Sequence, residues 1–190
     1  MTEQLVPTVR TTFSTEDFAR ALIAAWRAIY VMLEQADDAC VTPSKASCGV
    51  VWAQYALETG RGKSCWCNNI GNVKHVAGDG HDYCMLTGVW EIIGGKKVVF
   101  NPPDPQTWFR AYPSLADGMR EHLEFLRKRY AAAWAEVERG DARAFVHALK
   151  TRGYFTGDEG VYTKNVVSLQ AEFGRSGAYE AAIEALPAAS

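Results

Sequence analysis

The residues best suited to chemistry lie in the stretch AQYALETGRGKSCWCNNIGNVK, residues 53 to 74. An apolar helical pattern there ends on Glu58 and is followed at once by glycines, a Cys-Trp-Cys and two asparagines. The last turn of a helix favours a cation or a glycine, because the carbonyl end of the helix dipole is negative. A glutamate in that place is mildly unfavourable, which hints that the carboxylate of Glu58 has a chemical role.

A second carboxylate, Glu91, lies between Trp90 and Ile92 in a run of β-forming residues. Apolar or aromatic surroundings disfavour the charged form of a carboxyl group and raise its pKa, so that it holds a proton near neutral pH. A protonated carboxyl facing an ionised carboxylate across a groove is the minimal equipment for breaking a glycosidic bond. The two carboxyl groups lie about 5–5.5 Å apart in enzymes that retain the anomeric configuration and about 6.5–9.5 Å apart in enzymes that invert it. The alternative for Glu91 is an exposed strand position beside a turn, without a chemical role.

Length and composition describe an ordinary globular chain, most simply one domain. The 190 residues are 48% hydrophobic and carry a formal net charge of -2. This balance gives no electrostatic reason to expect nucleic acid or an anionic membrane as a partner. No apolar run approaches the roughly 20 residues that a membrane helix needs. The first residues lack a basic start followed by an apolar core, so we expect synthesis in the cytoplasm without a cleavable signal peptide.

Five cysteines are many for such a chain: Cys40, Cys48, Cys65, Cys67 and Cys84. Three interpretations stay open. They are buried free thiols, or disulfides within residues 40–84 that leave one thiol over, or zinc ligands together with His75 or His81. The Cys-x-Cys spacing is not the usual spacing of zinc ligands, so we predict no metal site and no cofactor.

Apolar periodicity predicts a helix from Ser14 to Ala36, opened by a capping box of Ser14 and Asp17. A second helix follows Pro43, which suits a first helical turn, and runs through Glu58 before Gly60.

The segment GVWEIIGGKKVVF predicts a β-hairpin that turns at Gly94-Gly95. Ser114 and Asp117 form a second capping box, and Asp141 opens a helix that stops at Gly153. Shorter helical candidates lie in residues 161–174 and 178–186. We therefore predict an α+β, mainly α, domain with a small β-hairpin lobe.

Three blocks follow one another over about residues 42 to 173: AQYALETGRGKS…NNIGNVK, then FRAYPSLADGMREHLEFL…RY, then FVHALKTRGYFTGDEGVYTKNVVSLQAEF. They resemble, in the same order, segments of the bacterial β-N-acetylglucosaminidases of glycoside hydrolase family 73. The first block is similar to that family's pattern AQ-A-LE-[ST]-G-WG…NN-L-F-G-[IV]-K, and the last to its GYATD-x-x-YA-x-K ending. Members of this family belong to the lysozyme superfamily and cut the glycan strand of peptidoglycan, so the resemblance implies a lysozyme-like fold.

The resemblance places Glu58 at the position of the family's general acid, which donates a proton to the leaving glycosidic oxygen. Glu91 falls in the hairpin where the family keeps its second carboxylate, as base or nucleophile. Substitutes for Glu91 in this variable lobe are Asp79, Asp82 and Asp104.

Tyr154 and Tyr162 match tyrosines of the family's last block, where a neutral phenol orients the N-acetyl group of the substrate or a water. We expect Tyr154 in the catalytic set and Tyr162 in substrate binding, with core packing as the alternative for both. Asn68, Asn69 and Lys74 belong to the block that shapes the loop beneath the sugar sites, and we expect the two amides to bind substrate.

Tryptophans are the candidates for stacking on sugar rings. Trp66 and Trp90 are expected to do so, because they flank the two carboxylates along the chain. Trp52 and Trp108 are further candidates, with core filling as the alternative.

Three departures from the family pattern concern the groove. Arg61 replaces the aromatic residue of GWG, which predicts a cationic wall. The pair Gly71-Asn72 replaces Phe-Gly, which leaves the path of the loop open. A bridge from Cys65 or Cys67 to Cys84 would pin this loop to the hairpin lobe.

The expected organisation is an N-terminal helical segment (1–41), a catalytic domain (42–173, with the hairpin lobe at about 83–112) and a C-terminal helix and tail (174–190). The expected activity is endo-β-N-acetylglucosaminidase. The alternatives are an N-acetylmuramidase or lytic transglycosylase that uses Glu58 alone, and a non-catalytic glycan-binding module. The resemblance implies action in the periplasm or cell wall after export, injection or lysis, with an immunity protein or delivery apparatus as further partners.

Overall fold

The computed structural model describes residues 3–32 and 42–186. Within these residues the chain forms seven α-helices and four short strands. The helices are α1 (Thr15–Met32), α2 (Lys45–Thr59), α3 (Leu115–Arg129), α4 (Ala131–Arg139), α5 (Ala142–Thr151), α6 (Glu159–Arg175) and α7 (Ala178–Glu184). The strands are β1 (Tyr83–Met85), β2 (Val89–Ile93), β3 (Lys96–Phe100) and β4 (Trp108–Arg110). The predicted α+β class, mainly α, is confirmed.

All seven helices contribute to one apolar core. Its largest side chains include Phe18, Phe145 and Phe173, which have no solvent exposure, and each such burial stabilises the fold by about 1.5–3 kcal/mol. Helix α2 is buried along most of its length, and even the polar side chain of Gln54 is fully buried. The last turn of α2, which carries Glu58, is therefore held by packing on several sides.

Helix starts follow the predicted caps. The hydroxyl of Ser14 accepts from the amide of Asp17 at 3.0 Å, and that of Ser114 from the amide of Asp117 at 3.2 Å. Asp141 caps α5 through two backbone amides. These three starts are confirmed, whereas residues 33–36 of the predicted first helix lie outside the described residues.

Two features differ from the expectations, at the start of α2 and in residues 3–13, and two others, helix α4 and the pair of strands β1 and β4, were not predicted. Ser44 caps α2, so Pro43 precedes the helix instead of lying in its first turn. Helix α4 begins directly after α3 without a side-chain cap, and so lacks the start signal that marks the other long helices. Strands β1 and β4 have only three residues each, too few to show alternation. Residues 3–13 are extended, not helical.

The β lobe contains two separate sheets. Strands β2 and β3 form the predicted hairpin, with register from Val89–Phe100 to Ile93–Lys96. Strands β1 and β4 pair antiparallel, and Lys74 makes an antiparallel bridge to the middle of β4. The extended N-terminal segment adds a parallel bridge from Leu5 to β1, so the inner sheet is tied to two other parts of the chain.

The cysteines with described positions, Cys48, Cys65, Cys67 and Cys84, are all buried free thiols. Cys67 and Cys84 share a small apolar cluster with Phe109, but the structure contains no bridge from Cys65 or Cys67 to Cys84. Burial raises the pKa of Cys84 to about 12, which keeps this thiol protonated and unreactive. Cys40 lies outside the described residues.

Within the described residues, the cysteines do not converge with His75 or His81 into a group that could hold a zinc ion. The metal-ligating side chains that converge there are Glu3, His75 and Asp79, without a cysteine. The carboxylate of Asp79 accepts from Arg110 Nε at 2.9 Å, and that of Glu3 accepts from backbone amides of the same loop. This cluster of charged and polar groups ties the N-terminal segment to the lobe.

None of the described helices is long and apolar enough to cross a membrane.

Candidate active site

Glu58 lies in the last turn of α2, where the chain reverses. Gly60 takes the left-handed conformation (φ 57°) that ends the helix. The side-chain amide of Asn72 donates to the backbone carbonyl of Glu58 at 3.2 Å and so satisfies one of the free carbonyls at the helix end. Asn72 itself has a φ of 48°. Asparagine tolerates this left-handed conformation, which explains how Gly71-Asn72 can replace the Phe-Gly of the family pattern.

The carboxyl group of Glu58 is partly buried and holds one specific hydrogen bond. The hydroxyl of Tyr162, in the first turn of α6, donates to Oε1 at 2.9 Å. Burial raises the pKa of Glu58, and the hydrogen bond from Tyr162 opposes this effect in part. The Tyr162 ring is fixed by stacking on Phe155, with the centroids 4.1 Å apart. Glu58 is thus suited to carry a proton at a higher pH than an exposed glutamate.

Tyr154 lies behind Glu58, on the loop that leaves α5. Its hydroxyl contacts the side chain of Gln54, one helical turn before Glu58, and burial raises its pKa above the ordinary value. Gln54 also contacts Nε2 of His122 at 3.3 Å, and burial lowers the pKa of His122 to about 4. The polar groups behind Glu58 are therefore neutral near pH 7, and none of them supplies a charge that would ionise the acid.

A groove of about 780 Å³ runs between the helical domain and the β lobe, and both Glu58 and Glu91 line it. The helical side contributes Glu58, and strand β2 contributes Glu91. The other lining residues are Thr8, Ser64, Trp66, Asn72, Lys74, Met85, Leu86, Thr87, Gly88, Val89, Trp90 and Phe109. The two carboxylates expected from the sequence thus share one groove.

The three aspartates considered as substitutes for Glu91 do not line this groove. Asp79 pairs with Arg110, Asp82 accepts from the backbone amide of Gln4, and Asp104 caps a short turn through the amide of Gln106. Among the candidates for the second carboxylate, Glu91 is the one placed with Glu58.

Trp66 and Trp90 both line the groove, as expected for residues beside sugar sites. Alternation along β2 puts the Trp90 side chain on the face opposite to Glu91, where Lys97 Nζ lies 4.8 Å from the ring centroid. Trp52 packs on Phe173 in the core. Trp108 packs on residues of the lobe and does not line the groove.

Asn68 and Asn69 hold the loop rather than line the groove. The Asn68 amide donates to the carbonyl of Tyr112 at 2.9 Å. The Asn69 amide donates to the carbonyls of Val73 and Arg110, and its oxygen accepts from the amide of Val73. With Asn69 only 2% exposed, its hydrogen-bonding groups are engaged by the protein itself.

Arg61 does not form a cationic wall of the groove. It makes a two-point ion pair with Glu172, at 2.9 and 2.6 Å, outside the groove lining. The cation that lines the groove is Lys74, for which the sequence pattern predicts a place in the loop block and no role of its own. Thr8, Met85 and Phe109 were also missed, because their positions depend on strands and bridges that carry no sequence pattern.

Tyr162→Phe should lower glycan cleavage about tenfold and move the basic limb of its pH–rate profile to higher pH. The hydroxyl lowers the pKa of Glu58, so its loss leaves that pKa still higher and keeps the acid protonated further up the pH scale. The rate falls because the carboxyl group loses the bond that orients it. Initial rates of reducing-end release against pH check both effects. Tyr179→Phe, which removes a hydroxyl bonded to the carbonyl of Pro43, is the matched control; an unchanged profile for Tyr162→Phe would contradict the assignment.

Comparisons with known proteins bear on the family and the fold of the chain. The chain matches the glucosaminidase family, described as mannosyl-glycoprotein endo-β-N-acetylglucosaminidase, over residues 44–175. No curated protein matches the chain. Among solved structures, a peptidoglycan hydrolase mutant from Sphingomonas sp. A1 superposes with a TM-score of 0.57 at 20% identity, covering 89% of this chain and 99% of that chain.

Two further structures are similar. The glycoside hydrolase domain of FlgJ from Salmonella typhimurium gives a TM-score of 0.54 at 22% identity, over 92% of this chain and 100% of that chain. The catalytic domain of the autolysin Auto from Listeria monocytogenes gives 0.55 at 18% identity, over 91% and 90%. At these identities the likeness supports the lysozyme-like fold. The family match, which spans well over half of the sequence, shows that the chain belongs to the glucosaminidase family, glycoside hydrolase family 73.

Proposed function

We propose that the chain cleaves the β-1,4 glycan strand of peptidoglycan as an endo-β-N-acetylglucosaminidase, with Glu58 as the general acid. The observation that carries the proposal is the shared groove, which a glutamate with a raised pKa lines on the helical side and a second glutamate lines on the side of strand β2. Similar solved structures include a peptidoglycan hydrolase and an autolysin. The substrate class follows from that similarity, and the chemistry follows from the two carboxylates.

In the proposed reaction Glu58 gives its proton to the oxygen of the leaving sugar as the glycosidic bond breaks. Glu91 attacks the anomeric carbon as a nucleophile or takes a proton from an attacking water. The hydroxyl of Tyr162 orients Glu58, and Tyr154 supports the same carboxyl group from behind as a neutral phenol. Trp66 offers an apolar face to the sugar rings, whereas the ring of Trp90 lies on the face of β2 opposite to Glu91.

A single-acid reaction is the second candidate, because Glu91 lies on an exposed hairpin and its side chain is 49% exposed. In a lytic transglycosylase or a muramidase of this kind, Glu58 would act without help from Glu91. A non-catalytic glycan-binding module would bind the wall without turnover.

Digestion of purified peptidoglycan by the wild type and by Glu91→Gln separates these candidates. We expect fragments with a reducing N-acetylglucosamine end, and a rate about 10²-fold lower for Glu91→Gln, within the range for loss of a base. Mass spectrometry identifies the ends, and reducing-sugar release gives the rate. A reducing or anhydro N-acetylmuramic end would overturn the bond assignment, an undiminished rate in Glu91→Gln would favour the single acid, and wall binding without fragments would favour the binding module.

The proposed substrate lies in the cell wall or periplasm, so we propose that the chain acts there. Delivery by export, injection or lysis, and protection of the producing cell by an immunity protein, extend this proposal. Expression of the chain in bacteria, with and without a periplasmic targeting signal, tests the site of action. Only the targeted form should lyse the cells.

A further inference from the structure

We infer that Lys74 is a positioning residue that holds the carboxylate of Glu91 in the groove. The inference rests on the proposed function, because it concerns the second carboxylate of the same site. It starts from the observation that Nζ of Lys74 lies 3.7 Å from Oε1 of Glu91.

The backbone of Lys74 is fixed to the inner sheet of the lobe. Lys74 bridges to Phe109 in β4, and hydrogen bonds on both sides complete the pairing. The amide of Arg110 donates to the carbonyl of Val73 at 3.1 Å, and the amide of His75 donates to the carbonyl of Trp108 at 3.1 Å. Because β4 also pairs with β1, the Cα of Lys74 belongs to the most connected part of the lobe.

The position of the Lys74 side chain is also fixed by contacts. Its ammonium group lies 4.5 Å from the ring centroid of Phe109, a favourable cation–π contact. It also donates to the backbone carbonyl of Gln106. Burial lowers the pKa of Lys74, and the neighbouring Glu91 opposes that effect. Two contacts thus fix the ammonium group, and Glu91 supplies the carboxylate next to it.

Glu91 needs such support because of the hairpin that carries it. In the part of the chain that the structure describes, strands β2 and β3 pair only with each other, and a two-stranded hairpin alone is marginally stable. Large side chains around Glu91 are half exposed or more, Trp90 at 54% and Ile92 at 60%. Within the described residues, Lys74 is the cation that lies within 4 Å of Glu91. Displacement of a reacting group by about 1 Å can lower the rate about 10²-fold. A fixed ammonium group beside Glu91 would prevent such a displacement of its carboxylate.

The test compares Lys74→Met, Lys74→Arg and the control Lys96→Met, whose lysine lies at the exposed end of the same hairpin. We expect Lys74→Met to lower kcat about tenfold on purified glycan strands with KM changed less than about twofold, and Lys74→Arg to restore most of kcat. Lys96→Met should behave as the wild type. Circular dichroism and thermal melting check that each variant is folded.

A double-mutant cycle with Glu91→Gln tests whether Lys74 acts through Glu91. In the Glu91→Gln background, Lys74→Met should lower kcat by less than about twofold. Full, independent losses in the two backgrounds would overturn the inference, as would a kcat for Lys74→Met equal to that of the wild type. An inactive wild type would instead refute the proposed function, and an active wild type with an undiminished Glu91→Gln would refute the role of Glu91, so the outcomes are distinguishable.

Discussion

Glu58→Gln is expected to lower glycan cleavage by about 10³- to 10⁴-fold and, at neutral pH, to make the protein more stable. A glutamine cannot donate a proton to the leaving oxygen, and general acid catalysis contributes typically 10²–10⁴-fold. We expect the upper part of that range, because the hydroxyl groups of Tyr162 and Tyr154 near Glu58 are neutral phenols that cannot replace it as an acid. Reducing-end release over hours on purified peptidoglycan measures the residual rate.

The gain in stability follows from the raised pKa of Glu58. Burial raises this pKa in the folded state above its ordinary value of 4.5, so the folded protein binds the proton more tightly than the unfolded chain does. The stabilisation is fully present below the unfolded pKa and is lost as the pH rises through the folded pKa. A glutamine has the shape and neutrality of the protonated form, and it can still accept the bond from Tyr162.

Thermal unfolding at several pH values checks this sign. The variant should melt about 2–4 °C above the wild type at pH 7, the change that about 1 kcal/mol produces in a chain of this size. The difference should shrink as the pH falls and disappear below about pH 4. Glu184→Gln, an exposed position in α7, is the matched control and should show neither effect. Equal melting temperatures at pH 7 would mean that burial of Glu58 costs the fold nothing, and cleavage near the wild-type rate would exclude it as the acid.

The parts of this molecule that could be predicted from the sequence depend on neighbours along the chain. Helix caps join residues three positions apart, and the hairpin turn is set by Gly94-Gly95, so both were found. The position of Glu58 at the end of α2 was predicted because the helix end and the glycines after it form one short motif. Glu91 was placed correctly in the hairpin for the same reason, although its distance from Glu58 is set by the whole fold.

The parts that could not be predicted depend on partners far apart in the chain. Arg61 was expected in the groove, yet it pairs with Glu172, 111 positions later. The role proposed for Lys74 depends on β4, 35 residues further on, which lies beside it in the fold. Asn69 was expected to bind sugar because of its amide, but that amide completes the hydrogen bonds of a buried loop. A local sequence pattern does not indicate whether a polar side chain will bind a distant part of the same chain or remain free to bind substrate.

Gly118→Ala is expected to destabilise the protein by about 3 kcal/mol or more, although alanine is the better helix former. Gly118 lies in α3, buried against the loop that carries Asn68. A methyl carbon on Gly118 would lie 1.9 Å from the carbonyl oxygen of Asn68 and 3.0 Å from its carbonyl carbon. Both are backbone atoms, so helix and loop must separate, and overpacking of this kind costs about 1–3 kcal/mol, occasionally more.

Gly174→Ala provides the opposite sign within the same protein. Gly174 lies near the end of α6, and a methyl carbon there would meet no atom within 4 Å. Without a clash, the lower backbone entropy of the unfolded chain should stabilise this variant by about 0.4–1 kcal/mol.

Urea unfolding of both variants measures the difference in the free energy of unfolding. Thermal unfolding should show the melting temperature of Gly118→Ala falling by about 6–12 °C. The loop that Gly118 contacts also leads from Trp66 to Lys74, so glycan cleavage should fall in the folded fraction of Gly118→Ala and stay unchanged in Gly174→Ala. Stabilisation of both variants would show that helix propensity, rather than contact between α3 and the loop, decides stability at this position.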